Sequence, residues 1–369
     1  MIQSIHIQNF KSIEDQIFEF KPLTILTGAN SSGKSSVIQA ILLYSHYTAR
    51  LEESYKANSL KKYIDDLGDI KHLVSKGVSE EQALIQLTIN NKDETLLISE
   101  SIGMHEVQKE QMLIFEQNLY FISANRVGQE NLPQSDKYER CGVNGEYIFG
   151  FYEKHQNDKL ENQKLIYRKE PDKDKFEPLA EFLSAQVNFW LRKILKLDLI
   201  PSTERVSDSK VKLMYKNIDL SKRYDGIMKD DFNTLPFNLG AGVSYLAKIL
   251  ILGLSLKEGD ILIVENPEVH LHPKAISRFA EFFMFLANGG IQVILETHSE
   301  HIINKTRYSV FDKQIPKENI QIYYRERFDK PFDSIRINDK GKYINIDDKI
   351  IEFPAGFFDS DLDELLEMM

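Results

Sequence analysis

The stretch with the clearest chemical content is GANSSGKSS, Gly28–Ser36. Its spacing, G-x-x-x-x-G-K-S, sets glycines at 28 and 33 directly ahead of Lys34 and Ser35. Glycines let the backbone bend around a phosphate, and successive N–H groups then point inward at the start of a helix whose dipole favours negative charge. Gly28, Asn30, Ser32, Gly33, Lys34, Ser35 and Ser36 are therefore candidate phosphate-binding residues. Lys34 would supply a mobile cation for β- and γ-phosphates, and the Ser35 hydroxyl is placed to ligate Mg²⁺. A purely structural glycine loop is the weaker reading, because a strand-like run precedes the motif and a helical pattern follows it.

A second group of chemically capable residues lies far along the chain. Ile261–Val264 is a short, wholly apolar run that ends at Glu265, 231 residues after Lys34. A carboxylate at the C-terminal end of a buried strand stands where open α/β sheets bind ligands, and it can hold Mg²⁺ through water. Asn266 and Glu268 follow it. A further apolar run, Ile291–Leu295, leads into Glu296-Thr-His298, where His298 could bond a γ-phosphate. Upstream, Gly240 and Gly242 open the apolar helical segment NLGAGVSYLAKILILGL, with Ser244 just inside it. Its N-terminal N–H groups could hold phosphate. A second cradle on one nucleotide makes little sense, but capping the γ-phosphate bound by another subunit does.

The elements that must position these residues are legible in outline. Ile2, Ile5 and Ile7, then Gln16–Phe20, then Leu23–Thr27 read as strands, and Val37–Leu51 as a helix. Residues 84–101 read as a hairpin turning at Asn91–Glu94. Leu119–Ser123 is another apolar strand, after which Arg126 could meet a phosphate, a partner's carboxylate, or only solvent. Pro178–Leu197 reads as a helix with a stripe of Phe182, Val187, Trp190, Leu191 and Ile194, and Glu204–Lys216 hints at strands.

The order of phosphate loop, glycine signature, acidic strand and T-H resembles ABC-type ATPase heads. The similarity is to the SMC, RecF and OLD-like branch, through Ile7–Ile13 (IQNFKSI) and Glu265–Pro273 (ENPEVHLHP). Together with Glu296–Ile303 (ETHSEHII) and the terminal FPAGFFDSDLDE, the chain resembles a prokaryotic AAA-type ATPase family with a short C-terminal domain of unknown function, related to OLD-like phage-defence ATPases. The resemblance covers roughly 1–50 and 235–369. It implies an α/β P-loop NTPase of ABC-head type, with a mixed central sheet and an inserted, mainly helical arm. The implied segments are an N-terminal lobe at 1–127, the arm at 128–232 and a C-terminal lobe at 233–369. The implied cofactors are ATP and Mg²⁺, the latter held by Ser35 and Glu265, with Gly242 as a signature glycine and His298 as the switch histidine. Two departures stand out. Asn266 occupies the position where such heads carry a catalytic glutamate, and Asn can orient a water but cannot accept its proton. Glu268 is the nearby substitute. Gly240 stands where a signature serine is usual, with Ser244 slightly downstream.

Composition narrows the remaining classes. The chain has 369 residues and a formal net charge of −10, which argues against a generally basic nucleic-acid coat. Residues 151–230 nevertheless carry 17 Lys and Arg against 14 Asp and Glu, so a nucleic-acid contact there stays open. One cysteine, Cys141, excludes an internal disulfide and suits a reducing, cytoplasmic setting. No secretory signal or membrane-length apolar run is evident, so no membrane partner is expected. His270, His272, His298 and His301 match no zinc spacing and read as structural or interfacial. Asp359-Ser-Asp361 only superficially suggests a two-carboxylate nuclease, and Asp361–Met369 reads as a short acidic amphipathic helix.

The functional expectation is an ATPase of low turnover. Its nucleotide-dependent pairing, as a homodimer or higher even oligomer, would control a separately encoded effector such as a nuclease, in phage defence or DNA repair. The alternatives are a non-hydrolysing ATP-gated scaffold or sensor, a repair ATPase that binds DNA through the arm, and a transporter's ATPase subunit, which the long insertion opposes.

Overall fold

The computed structural model describes residues 1–49, 57–75, 82–99, 103–108 (backbone only), 113–126, 128–168, 181–217 and 233–354. The chain opens with β1 (Ile2–Phe10), β2 (Ile13–Glu19) and β3 (Leu23–Gly28), followed by α1 (Lys34–Ala49) and α2 (Asn58–Asp65). Next come β4 (Gln82–Ile89), β5 (Lys92–Ser99), β6 (Gly103–Gln108) and β7 (Leu119–Ile122). The middle holds α3 (Ile148–His155), α4 (Leu183–Leu195), β8 (Leu199–Ser207), β9 (Lys210–Asn217) and β10 (Asn233–Thr234). The C-terminal third runs α5 (Ala241–Leu254), β11 (Ile261–Glu265), α6 (Pro273–Asn288), β12 (Gln292–Glu296) and α7 (Glu300–Phe311). It ends with β13 (Ile320–Arg325), β14 (Asp333–Ile337) and β15 (Tyr343–Ile344). Among the described residues, no helix is long and apolar enough to cross a membrane.

The main sheet has the order β15-β14-β13-β3-β12-β11-β7. Its centre, β13 through β7, is parallel, and β14 and β15 add an antiparallel edge. Every residue of β3, β11 and β12 is buried. That explains their largely apolar composition, since a central parallel strand is covered on both faces. The parallel register brings the C-terminal ends of β3, β12 and β11 to one edge of the sheet, where Gly28, Glu296 and Glu265 sit. Strands β11 and β12, which end 231 and 262 residues after Lys34 in sequence, are thereby brought beside the phosphate loop.

A second sheet, β2-β1-β4-β5-β6, is antiparallel throughout. Its β4–β5 hairpin closes earlier than the sequence suggests. Ile89 pairs with Lys92, so the turn is Asn90–Asn91 and not Asn91–Glu94. Both asparagines have positive φ, 51° and 64°. A two-residue hairpin loop demands that geometry, and Asn tolerates it better than most residues.

The middle segment contributes α3, α4 and the β8–β9 hairpin, the last matching the strands hinted at within Glu204–Lys216. Helix α4 packs against α5 and α6. Trp190 meets Phe282 edge-on at 5.0 Å and Phe285 at 5.1 Å. Phe182 departs from the expected stripe. It precedes the helix as its N-cap and is exposed, and Leu183 takes the buried place beside Val187, Trp190, Leu191 and Ile194. The terminal FPAGFFDSDLDE beyond Pro354, including Asp359 and Asp361, lies outside the described residues.

Candidate functional site

The phosphate loop leaves β3 at Gly28, whose φ is 136°, and turns again at Gly33, with φ 95°. A Cβ on Gly28 would lie 2.0 Å from the Arg325 carbonyl oxygen of the neighbouring β13. One on Gly33 would lie 2.3 Å from Ser12 Oγ and 2.7 Å from Arg325 Nη1. Both glycines are thus required by backbone conformation and by close approach. Helix α1 starts at Lys34, inside the motif and three residues earlier than the apolar periodicity suggests. Lys34 is buried, and its Nζ donates to the carbonyls of Gly28 (3.2 Å) and Ala29 (2.7 Å). Burial lowers its pKa, while the Glu296 charge pulls the other way. Asn30 is exposed at the loop's tip, Ser36 is buried, and Ser32 is buried with its hydroxyl lacking a hydrogen-bond partner.

The acidic half of the site comes from β11 and β12, where Glu265 and Glu296 are register partners. Ser35 Oγ donates to Glu296 Oε1 at 3.0 Å. Glu265 Oε2 accepts the Ala124 N–H at 2.9 Å. Burial, and then the Glu296 charge, push the Glu265 carboxyl up to about 7, against a smaller pull from Ala124 and Arg126. Glu296 is also raised by burial, with Ser35 and Lys34 opposing. Asn266, at φ 43°, donates its N–H to the Glu296 carbonyl at 2.7 Å, and its Oδ1 is buried without a partner. Glu268 Oε1 accepts the His298 N–H at 2.8 Å, and its Oε2 is likewise buried and unpartnered. Burial and the charge of Lys34 lower the His298 pKa, while its hydrogen bond to the Gly28 backbone raises it. Unpaired oxygens on Thr27, Ser32, Asn266, Glu268 and Glu296 surround this one end of the sheet. Unsatisfied buried oxygens are costly on their own, and a cradle of glycines, one lysine and carboxylates fits a magnesium nucleotide.

The family described as "AAA domain, putative AbiEii toxin, Type IV TA system" matches residues 23–304. The chain belongs to this AAA domain family. It is also similar to DNA replication and repair protein RecF from Francisella tularensis subsp. mediasiatica and subsp. novicida, with 27% identity over 88 residues in each case. Each match covers 24% of this chain and 24% of the relative, so the chain spans about a quarter of these curated relatives' length. Among solved structures, it resembles an SMC head bound to the C-terminal winged-helix domain of ScpA, with TM-score 0.52 and 12% identity. That match covers 96% of this chain and 98% of the other. An SMC head with an extended coiled coil, bound to the C-terminal domain of ScpA derived from Pyrococcus furiosus, matches at TM-score 0.50 and 11% identity, over 100% and 99%. The fold of this AAA-family chain is therefore that of an SMC head, an α/β P-loop architecture with a mixed sheet.

Several expected site residues of the AAA-family chain take other positions. Ser244 is 1% exposed and shares a hydrogen bond with Tyr215 (3.2 Å), so it does not face a surface where a second copy's phosphate could reach it. Gly242 is buried, and a Cβ there would lie 2.4 Å from the His270 carbonyl oxygen, so close packing within the chain accounts for this glycine. Gly240 alone of the three is exposed. It opens α5, which has no side-chain cap. Arg126 is turned inward, away from solvent. It is 2% exposed, donates to the carbonyls of Glu265 (2.7 Å) and Asn266 (2.6 Å), and lies over the Tyr245 ring. It fastens the turn after β11, where the strand-end carbonyls would otherwise be unpaired. His270 stacks on Tyr245, and His272 accepts the Lys274 N–H to cap α6.

Two residues at the site were not singled out in the sequence. Glu296 ends β12 as Glu265 ends β11, a carboxylate after an apolar run, and that shared pattern was the available signal. Arg325 gives no such signal. It donates from Nη2 to the Ser12 carbonyl (2.7 Å) and from Nη1 to Ser12 Oγ (3.1 Å), pinning the β1–β2 turn beside Gly33.

The raised Glu265 pKa has a consequence for stability. The folded chain binds this proton more tightly than an unfolded glutamate does, so the contribution is fully present below the ordinary carboxylate range and is lost as pH rises through about 7. Glu265→Gln removes that loss. Its gain in melting temperature over the wild type, measured without nucleotide, is expected to widen between about pH 5 and about pH 8. A constant difference would contradict the buried-carboxylate reading.

Proposed function

We propose that this protein binds Mg·ATP at Gly28–Ser36, hydrolyses it slowly, and pairs with a second copy while the γ-phosphate is intact. In this reading the paired state controls a separately encoded effector, such as a nuclease, in phage defence or DNA repair. The observation that carries the nucleotide part is the convergence of Lys34 and Ser35 from α1 with Glu296 and Glu265 from β12 and β11. Phosphoryl transfer asks the protein mainly for positioning and charge stabilisation. Lys34 would balance the β- and γ-phosphates, and loop N–H groups would hold their oxygens. Ser35 and Glu265 would hold Mg²⁺, which when bound neutralises charge on the transferring group. His298, next to Gly28, would bond the γ-phosphate. Asn266 and Glu268 would orient the attacking water, and Glu268 is the one of the two able to accept its proton.

The uncapped N-terminus of α5 at Gly240 supports a role for a second copy, since free helix N–H groups favour an anion. The SMC heads of similar fold are bound to ScpA domains, which supports engagement of a separate partner here. Sedimentation velocity with Mg·ATP should shift the wild type to a dimer and leave Lys34→Ala monomeric. Equal profiles for the two proteins would refute the nucleotide-gated pairing.

A second reading, an ATP-gated switch with negligible turnover, is favoured by Asn266. Phosphate release by Asn266→Glu separates the two. A rise of roughly tenfold or more identifies a site in which proton acceptance limits the rate, and an unchanged rate points to Glu268 as the acceptor.

A further inference from the structure

We infer that Glu296 is a second carboxylate of the divalent-cation site, orienting Ser35 and presenting its free oxygen to the metal, so that β12 grips the cation as well as β11. The inference rests on the Mg·ATP reading above. Three observations support it. In the sheet, β12 lies between β3 and β11, so its C-terminal end is nearer the phosphate loop than that of β11. Ser35 donates its only hydroxyl proton to Glu296 Oε1, at 3.0 Å. A serine hydroxyl has one proton and two lone pairs, so this bond turns the lone pairs away from Glu296 and leaves them free for a cation. Finally, Glu296 is 6% exposed, and its Oε2 is buried with no hydrogen-bond partner.

A buried carboxylate with one idle oxygen, beside the like charge of Glu265, is expensive unless a cation shares the space. Lys34 balances part of this charge. Lys34 Nζ, however, is engaged by the Gly28 and Ala29 carbonyls and is the group a phosphate would attract. Oxygen donors of this kind, carboxylate and hydroxyl, suit Mg²⁺ or Mn²⁺. A purely structural role would need only the Ser35 bond, which Gln can also accept. A metal-holding role needs the negative charge.

The test uses the full chain, a fluorescent ATP analogue in EDTA or in Mg²⁺, and Mn²⁺ followed by its paramagnetic resonance. Wild type should bind the analogue in EDTA and bind it more tightly in Mg²⁺. Glu296→Gln should keep metal-free binding within about twofold of wild type, lose roughly 10–100-fold of the Mg²⁺-dependent affinity, and lose bound Mn²⁺ in the same proportion. Glu296→Asp, which keeps the charge, should recover part of the metal response. The inference is overturned if Glu296→Gln gains as much from Mg²⁺ as wild type does. It is also overturned if that variant loses metal-free binding and melting temperature together, which would make Glu296 structural. Wild type that binds no analogue in either buffer sinks the ATP reading itself, and this inference with it.

Discussion

Lys34→Ala is expected to weaken Mg·ATP binding by about 100-fold or more, measured by equilibrium titration with a fluorescent ATP analogue. The size follows from the geometry. Lys34 Nζ sits inside the loop, within hydrogen-bond distance of two of its carbonyls. Contacts from such a cation to β- and γ-phosphate oxygens contribute about 1.5 kcal/mol or more each, and about 1.4 kcal/mol is a factor of ten. Two contacts therefore account for about two decades. Far-ultraviolet circular dichroism should stay near the wild-type level, because the lysine's partners are only two backbone carbonyls, the buried one of Gly28 and that of exposed Ala29, and alanine suits the first residue of α1. Wild-type affinity in this variant would remove Lys34 from the site.

The second large effect is on stability. Gly28→Ala puts a Cβ 2.0 Å from the Arg325 carbonyl oxygen, on a residue with φ 136°. The obstacle is backbone in the middle of the sheet, which has nowhere to move. Destabilisation of about 3–5 kcal/mol or failure to fold is expected in urea unfolding, combining a backbone strain with disrupted strand packing. Gly240→Ala is the matched control. Its φ is −61°, and nothing lies within 4 Å of the added carbon. Its stability should stay within about 1 kcal/mol of wild type. A Gly28 variant as stable as the Gly240 variant would show that the close approach of β3 and β13 is not rigid.

What the sequence disclosed and what it hid follow from how local each feature is. The phosphate loop is contiguous, with its glycines, lysine and serine fixed within nine residues, so its chemistry is readable without a fold. Glu265 is readable because it ends an apolar run, and a strand end is a position that pattern alone can mark. Glu296 carries the same mark and lies in the quoted ETHSEHII, but its importance comes from pairing with Ser35, a contact across 261 residues that sheet order creates. Arg126 and Arg325 look like ordinary surface arginines until the fold buries them against backbone carbonyls. Gly242 and Ser244 belong to the segment that the resemblance assigns to a subunit interface, and both are buried within this chain. Their burial comes from His270 and Tyr215, neither of which is near them in sequence. The hairpin turn is the two residues Asn90–Asn91, shorter and earlier than the expected Asn91–Glu94, because the polar run Asn90–Glu94 does not mark where pairing stops, and strand pairing carries Lys92, Asp93 and Glu94 into β5.

The claim on which the rest depends is that residues from α1 and from β11 act together on one nucleotide. A double-mutant cycle on Mg·ATP affinity, with Ser35→Ala, Glu265→Gln and the pair, measures that directly. Residues sharing a bound metal nucleotide should be coupled by about 0.5–3 kcal/mol, so the double variant loses clearly less than the two single losses combined. Single losses that add to within about 0.5 kcal/mol would mean that the two residues do not share a ligand, and the composite site would be contradicted.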